Sequence, residues 1–482
     1  MTHKVVSSLI AFCLLNAATL YAQAYPQSWR SSPRPLVWRS HWGNTPPAFM
    51  FGPARHSFAS PTLKIAPRSK TRVLPDGRVA VITPFSEEQK QQIAQREASR
   101  IQIRKIRQRE LSQQGKNEGP YPRLPAEFEK QKAILLSSCD WKPHNFSVLV
   151  DLINKCRGHA NLVILFNDKS YHDGTPQLTK LVEQLTLSGH DFRHIRFLNL
   201  NLDTIWLRDF GPRLAETKSG GAMAMDFFYD TIRPFDDDFP KLWADKTNAS
   251  HNEVPWTLQG GNLISNGRGL AIATSRLFED NRIRRPGKSY DEDEAYVRQQ
   301  VMKFCNIKGL AILKPLEHES TRHVDMFATF LAPGFVVVAQ LDPRHDAQNA
   351  AILNDNARRL ARISINGKPL RVERIPIPPR RGEYWSTYTN IILTDRLALI
   401  PTLKTDPPRY VQAALTRYRK WLPNHHVELI DMTPMEKLGG SLHCLSCSIP
   451  QFAKLPKGLL TFGEAVSRTG VAKTNKQKPG RD

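Results

Sequence analysis

The chain of 482 residues carries a formal net charge of +23, and 40% of its residues are hydrophobic. This length and hydrophobic content predict a large folded domain with extensions, because one compact core rarely needs so many residues. The positive charge predicts attraction to anionic surfaces. No zinc-finger, helix-turn-helix or basic-aromatic stacking pattern accompanies it, which argues against specific nucleic-acid recognition.

Residues 1–24 form the first predicted element. Lys4 precedes an apolar run over 5–20, and the small-residue pattern AQA follows at 22–24. This order is typical of a secretory signal peptide, and the run is short for a membrane-spanning helix, which is the alternative. We therefore expect a secreted or periplasmic protein without a transmembrane segment.

Residues 25–118 form a basic extension rich in Pro, Ser and Arg. Residues 25–120 hold 17 Lys and Arg against 6 Asp and Glu, a net charge of +11. Most of this extension is expected to be irregular. The exceptions are a hairpin with Asp76-Gly77 at its turn and a helix near 86–113. The extension is the part that we expect to contact anionic surfaces.

Residues 120–455 are predicted to form one folded α/β domain. Apolar segments at 133–138, 161–166 and 194–200 predict strands, and helical patterns lie between them. The remaining residues, 456–482, are polar and basic without a period. They are expected to be a disordered tail.

A hairpin pattern recurs within the domain. It begins at Asn262, at Met326 and at Asn390, so that each start lies 64 residues after the previous one. Helical segments follow at 291–306, 345–363 and 410–423. Such a period predicts repeated units of hairpin, helix and strand arranged around an axis.

The cysteines leave several readings open. Five remain after removal of the signal peptide, an odd number, so at least one thiol is expected to be free or paired between chains. Cys444 and Cys447 form a C-x-x-C in the segment GGSLHCLSCSIP. A redox motif requires a helix after the cysteines, and no helix pattern follows them here. Zinc binding would need two further ligands, and only His443 is close. A regulatory disulfide between Cys444 and Cys447 stays open.

Polar residues collect where the repeat units begin. They are Arg208-Asp209, Gly260-Gly261-Asn262, His323 and Asp325, Asn390, and Cys444. His323 and Asp325 point to the same side if their segment is extended. Two carboxylates without a metal-ligand cluster suit a guanidinium, which offers five N–H donors. A nearby cysteine can attack its carbon while a histidine protonates the departing nitrogen.

The segments WLRDFGP, QGGN, HVD, YTN and GGSLHC, in this order, resemble the agmatine deiminase and bacterial peptidylarginine deiminase family. This family belongs to the pentein superfamily, and the resemblance covers about residues 124–450. It implies a five-bladed, pseudo-symmetric α/β propeller and the hydrolysis of a guanidine to a urea and ammonia through an amidino-thioether. It implies no metal or organic cofactor. The substrate would be agmatine, arginine, or arginine in a peptide or protein.

The same resemblance implies roles for individual residues. Cys444 would be the nucleophile and His323 the general acid and base. Asp209 and Asp325 would hold the guanidinium, and Asn390 would lie beside the cysteine. The residues expected to contact the substrate also include Trp206, Arg233, Gly261 and Asn262.

The sequence departs from the family at two positions. Gln259 stands where many members have a glutamate. Arg233 matches an arginine that binds the substrate carboxylate in the bacterial peptidylarginine type, but Phe235 replaces a second arginine. Three alternatives remain at this stage. They are an amidinotransferase, a Cys/His/Asn protease, and a catalytically inactive protein that binds anionic surfaces.

Overall fold

The computed structural model describes residues 123–471 except 140, 143, 168–174, 189–191, 230–232, 284, 286 and 383. Before them it describes 51–52, 70–73, 79–82, 91, 94–95, 98 and 102. The predicted signal peptide and most of the basic extension therefore lie outside the described residues.

Part of the extension contains a small antiparallel sheet. Its strands are Phe51–Gly52, Lys70–Val73 and Val79–Ile82. Val73 pairs with Val79, which confirms the predicted hairpin, although its Asp76-Gly77 turn lies outside the described residues. The described positions of the predicted helix near 86–113 are helical and exposed. They are 91, 94, 95, 98 and 102.

In the described part of the main domain, one structural unit occurs five times. An antiparallel strand pair is followed by a helical segment and by a third strand parallel to the second. Unit one comprises Arg213–Glu216, Ala222–Phe228, helices Pro234–Asp237 and Phe239–Thr247, and Ser250–Thr257. Unit two comprises Ile264–Ser265, Leu270–Thr274, helices Arg276–Asp280 and Tyr290–Phe304, and Gly309–Leu313.

Units three and four repeat the pattern with single helices. Unit three comprises Ala328–Ala332, Phe335–Gln340, helix Ala347–Ala361 and Arg371–Pro376, with a small added hairpin of Ser364–Ile365 and Lys368–Pro369. Unit four comprises Ile392–Leu393, Leu397–Thr402, helix Pro408–Trp421 and His426–Asp431.

Unit five joins the two ends of the domain. Its strand pair is Ser446–Pro450 with Gln131–Ser137, followed by helix Phe146–Cys156 and strand Leu162–Phe166. Cys447 lies opposite Leu135 in the antiparallel pair. Helix Gln177–Leu187 and strand Ile195–Asn199 extend this sheet. The segment after Cys444 is therefore held by the first strand of the domain.

Apolar spacing explains how a unit packs. In unit three, Val336, Val337 and Val338 are fully buried, and the following helix buries Leu353 and Leu360 against them. This spacing places the apolar side chains on one face of the helix. The helix begins where the Asp346 side chain accepts a hydrogen bond from the Asn349 N–H, which satisfies one donor of the first turn.

The predicted α/β class is confirmed, and the three predicted repeats correspond to units two, three and four. Their long helices are Tyr290–Phe304, Ala347–Ala361 and Pro408–Trp421, each within two residues of its predicted bounds. Unit one was not predicted, because its two short helices, interrupted at Asp238, lack one long apolar period. The arrangement of the units around an axis stays a prediction.

The prediction of a disordered tail over 456–482 is wrong for its first part. Leu460–Thr461 forms a strand that pairs with Ile195–Asn199, and Phe462–Thr469 forms a helix. The Phe462 ring lies 4.8 Å from the Phe192 ring, centroid to centroid. A capping box at Thr461 starts the helix, and this signal is present in the sequence as T-x-x-E.

Within the described residues, no helix is long and apolar enough to cross a membrane.

Candidate active site

The predicted site residues are all buried, and all except Arg233, which lies within unit one, stand in the links between units. Asp209 belongs to the short helix Leu207–Phe210 before unit one, and Gly261 to the 3-10 turn Gly260–Asn262 before unit two. His323 and Asp325 precede unit three. Asn390 precedes unit four, and Cys444 lies in the 3-10 turn His443–Leu445 before unit five.

Gly261 lies where these links meet. A Cβ atom at this position would lie 2.6 Å from His323 Nδ1, 2.9 Å from Asp325 Oδ2 and 3.1 Å from Asp209 Oδ1. Any other residue would therefore clash with three polar side chains. The absence of a side chain at position 261 lets two carboxylates and an imidazole approach one another.

Each of the two carboxylates has one oxygen atom without a hydrogen-bond partner in the described part of the chain. Asp209 Oδ1 accepts a hydrogen bond from the Gly261 N–H at 3.0 Å. Asp209 Oδ2 and Asp325 Oδ1 are buried, and neither has a hydrogen-bond partner among the described residues. Burial, with the nearby charge of Asp325, raises the pKa of Asp209 to about 7. Buried acceptors of this kind need a donor, and a cation satisfies them best.

The prediction that Asp325 lies on an extended segment is wrong. His323 has an extended backbone, but Val324–Met326 forms a 3-10 turn. Both side chains nevertheless face the same polar cluster, because the turn brings Asp325 back toward Gly261. The predicted proximity therefore arises from a turn instead of strand alternation.

His323 is oriented by Gln259. Its Nε2–H donates to Gln259 Oε1 at 2.7 Å, which leaves Nδ1 as the basic nitrogen, 3.6 Å from Asp209 Oδ1. Burial lowers the pKa of His323 well below its usual value, with a smaller contribution from Arg276. The ring is therefore neutral near pH 7 and can accept a proton. The family departure at Gln259 thus concerns a direct partner of the histidine.

Cys444 is fully buried between an amide and a carboxylate. Asn390 Nδ2 lies 3.5 Å from its Sγ atom, and Asp325 Oδ2 lies 3.9 Å from the same sulfur. The Asn390 side-chain oxygen also accepts the His443 N–H at 2.8 Å. Burial and the carboxylates of Asp325 and Asp209 raise the pKa of Cys444 well above its usual value. The resting nucleophile is therefore a neutral thiol.

Sequence reasoning missed two ionisable residues beside this cluster. His443 Nδ1 lies 2.8 Å from Asp325 Oδ2, and His443 Nε2 lies 2.8 Å from Glu127 Oε2. Glu127 also pairs with Arg208. The adjacency of His443 to Cys444 was visible in the sequence, but nothing local linked Glu127 to either of them.

The comparison with known families agrees with this cluster. The sequence model of the Porphyromonas-type peptidyl-arginine deiminase family matches residues 123–450. The chain belongs to this family. Deiminases of this kind are hydrolases that act on C–N bonds of linear amidines. The match begins at Arg123, four residues before Glu127.

Individual relatives are more distant. An agmatine deiminase of Pseudomonas fluorescens is 23% identical over 303 residues, which cover 54% of this chain and 78% of that protein. The structure resembles a C. jejuni agmatine deiminase with a TM-score of 0.56 and 19% identity, covering 70% of this chain and 98% of the other. It also resembles an agmatine deiminase of Enterococcus faecalis, with a TM-score of 0.56 and 18% sequence identity, over 68% of this chain and 96% of the other. These likenesses show a shared α/β fold.

Three further residues that were predicted to contact the substrate have side chains that contact other protein groups. Asn262 Oδ1 accepts hydrogen bonds from the backbone and hydroxyl of Thr274, so it braces the hairpin of unit two. Trp206 is buried, and a Cβ atom at Gly440 would lie 2.3 Å from its ring. Arg233 donates to the Tyr229 hydroxyl at 2.9 Å. Substrate contact by these three residues stays a prediction.

The five cysteines within the described residues form no disulfide there, and Cys444 and Cys447 have different neighbours. The Cys447 sulfur lies 3.8 Å from the Pro212 carbonyl oxygen, and a Cβ atom at Gly211 would lie 2.7 Å from it. Burial raises the pKa of Cys447 to about 11. The structure thus contains no Cys444–Cys447 disulfide. Among the described residues, no group of three or more His, Cys, Asp and Glu side chains could hold a metal ion.

The charges around Cys444 predict how readily its thiol reacts. We expect slow alkylation by iodoacetamide at pH 7 and at least about a tenfold faster reaction in Asp325→Asn, since one negative charge near the sulfur is removed. Mass spectrometry of the peptide containing Cys444 measures the rate. Asp245→Asn, an exposed carboxylate on the helix of unit one, is the control and leaves the rate unchanged. Equal rates in all three proteins would contradict this electrostatic description.

Proposed function

We propose that this protein is an exported deiminase that hydrolyses an arginine-like guanidinium to the ureido product and ammonia. The observation that carries the proposal is a pair of buried oxygen atoms, Asp209 Oδ2 and Asp325 Oδ1, that lack hydrogen-bond partners among the described residues and lie beside the buried thiol of Cys444. A guanidinium supplies N–H donors in a rigid plane and the positive charge that these carboxylates lack.

Binding of the cation prepares the nucleophile. Burial and the charges of Asp325 and Asp209 disfavour the Cys444 thiolate. A bound guanidinium offsets both carboxylates, so the Cys444 proton can move to Nδ1 of neutral His323. The site then creates its reactive sulfur when substrate is present.

The reaction follows from these positions. The Cys444 thiolate forms a C–S bond with the guanidinium carbon, and His323 returns its proton to the departing nitrogen, so that the C–N bond breaks and ammonia leaves. Water then attacks the amidino-thioether carbon and gives a proton to His323. The C–S bond breaks, which releases the urea and restores the thiol. Asn390 holds the sulfur through its side-chain amide.

The five repeated units support a five-bladed, pseudo-symmetric propeller as the architecture of this site. Each link residue of the cluster precedes one unit, and unit five joins the ends of the domain. Units related by rotation bring their entrances to a common axis, which accounts for the cluster at Gly261.

The cavity beside the cluster favours a substrate without a free carboxylate. Its lining includes Glu319, Trp385, Glu436 and Ser441, and the last lies three residues before Cys444. Glu436 forms an ion pair with Arg381 at 2.5 Å, so the charge of this arginine is already offset. The described lining contains carboxyl and aromatic groups but no Arg or Lys, so it accepts an amine or an uncharged peptide backbone and offers no cation to a carboxylate. Together with export, this favours peptidyl-arginine first, agmatine second and free arginine last.

The substrate order is tested with purified protein and an internal-arginine peptide, agmatine and free arginine. We expect the ureido product and ammonia from the peptide with the highest kcat/KM, no product with Cys444→Ala, and retained activity with Cys447→Ser. Product analysis by mass spectrometry, with glycine added as an amidino acceptor in a parallel reaction, separates hydrolysis from transfer. A folded protein that converts none of the three compounds would falsify the deiminase proposal.

The raised pKa of Asp209, about 7, predicts opposite effects of pH on binding and stability. Agmatine affinity for Cys444→Ser, measured by calorimetry, should fall about tenfold per pH unit below pH 7 as Asp209 loses its charge. Stability should change the other way. A folded-state pKa above the unfolded value of about 4 stabilises at low pH, and this contribution is lost as pH rises through about 7.

Asp209→Asn provides the control for both measurements. It should weaken agmatine binding at all pH values and flatten the dependence of the melting temperature between pH 5 and pH 8. A wild-type affinity that is constant across this range would rule out Asp209 as a titrating clamp.

The sequence at 1–24 supports export of the enzyme. Expression of the full chain in a Gram-negative host should yield a periplasmic or secreted protein whose first residue is Tyr25, as read by N-terminal sequencing. A Lys4→Glu, Leu14→Glu double variant, which disrupts the basic and apolar regions, should stay in the cytoplasm with Met1 or Thr2 first. Cytoplasmic wild-type protein with an intact leader would contradict export.

A further inference from the structure

We propose that Glu127 and His443 form a positioning pair that fixes the orientation of Asp325 and balances its charge. The proposal rests on the proposed deiminase function, because Asp325 acts there as one of the two guanidinium clamps. Neither residue touches the reacting atoms in this scheme. Both act through Asp325.

The geometry of His443 requires a doubly protonated ring. Its two nitrogens each lie 2.8 Å from a carboxylate oxygen, Nδ1 from Asp325 Oδ2 and Nε2 from Glu127 Oε2. A carboxylate accepts hydrogen bonds, and a neutral imidazole has only one N–H to donate. Two acceptors at this distance are both satisfied only by the imidazolium. His443 therefore contributes a positive charge next to the clamp.

The charged and titratable groups facing His443 come from four segments. They are Glu127, Arg208, His323 with Asp325, and Cys444. Burial and Arg208 favour the neutral ring, but the two carboxylates outweigh them and raise the pKa of His443 above its usual value. Glu127 stays ionised although its side chain is largely shielded from solvent, because Arg208 and His443 hold its pKa at about 2. The pair is therefore charged on both sides at neutral pH.

The pair leaves Asp325 with one engaged and one open oxygen atom. Oδ2 is held by His443, whereas Oδ1 has no partner among the described residues. Loss of either proton of His443 would remove the counter-charge of Asp325, and loss of the proton on Nδ1 would also turn a lone pair toward Oδ2 and remove its anchor. The open oxygen would then no longer be aimed at a guanidinium.

The same chain of charges reaches the second clamp. Arg208 binds Glu127, and its Nε–H donates to the His443 carbonyl oxygen at 3.4 Å. Arg208 precedes Asp209, and His443 precedes Cys444. Glu127, whose side chain is 25% exposed, is therefore the outer end of an ionic network that braces both clamps and the nucleophile.

The chain offers a matched control for Glu127. Glu129 lies two residues away and also binds an arginine, Arg123, at 2.7 Å and 2.9 Å. No contact links it to His443 or Asp325 in the described structure. Glu129→Gln therefore removes a comparable ion pair without touching the positioning pair.

The test compares wild type, Glu127→Gln, His443→Gln and Glu129→Gln in kcat/KM as a function of pH. At high pH, kcat/KM should fall as His443 loses its proton. In Glu127→Gln we expect this fall to occur about one pH unit lower, and KM to rise about tenfold with a smaller loss of kcat. In His443→Gln the fall of kcat/KM that depends on this histidine should be absent. Glu129→Gln should follow the wild-type profile. An unshifted fall of kcat/KM and an unchanged KM in Glu127→Gln would overturn the proposal.

Histidine-labelled NMR separates this proposal from the deiminase proposal. In Cys444→Ser, which needs no turnover, the His443 ring should be an imidazolium at pH 7 and should titrate at lower pH when Glu127→Gln is added. A neutral His443 at pH 7 would overturn the pair even if the enzyme is active. If the protein converts no guanidine but His443 titrates as expected, the deiminase proposal fails and the ionic pair stands. Should Glu127→Gln not fold, the protonation state of His443 in Cys444→Ser alone decides.

Discussion

Two carboxylates and a thiol lie together in one buried cluster, and their mutual repulsion is the constraint on which the site depends. Asp209 and Asp325 approach because Gly261 has no side chain, and each leaves one oxygen atom without a partner in the described structure. Burial and like charge raise the pKa of Asp209 and that of the Cys444 thiol. Such a cluster is complementary to a planar cation, which would donate to both open oxygen atoms and offset both negative charges.

The fold supports this unfavourable arrangement by distributing it over several links. Each clustered residue stands just before a sheet, so its backbone is held by strand pairing a few residues later. Cys444 depends on this most, because the strand after it pairs with Gln131–Ser137 at the start of the domain. Glu127 precedes that same strand and reaches His443, 316 residues away. Joining the ends of the domain therefore also completes the charge network. Rigid elements of this kind hold reactive groups in productive positions.

Much of the candidate site was predictable because its members share a position in a repeat. The 64-residue spacing of Asn262, Met326 and Asn390 led to units two to four, and the polar residues at their entrances proved to be neighbours. The spacing did not reveal unit one, whose helical segment is interrupted. It did not predict the hydrogen bonds that the Asn262 side chain accepts from Thr274. A repeat predicts where a residue lies along its unit, but not which partner its side chain selects.

The sequence by itself determined the α/β class, the bounds of the long helices, and the set of residues from Asp209 to Cys444 that forms the cluster. These features depend on apolar periodicity and on motif order, which are local properties of the chain. Tertiary structure alone decided the protonation of His323 and His443, the neutral state of the Cys444 thiol and the role of Glu127. Protonation depends on burial and on charges brought within a few ångströms by distant segments. No local pattern contains that information.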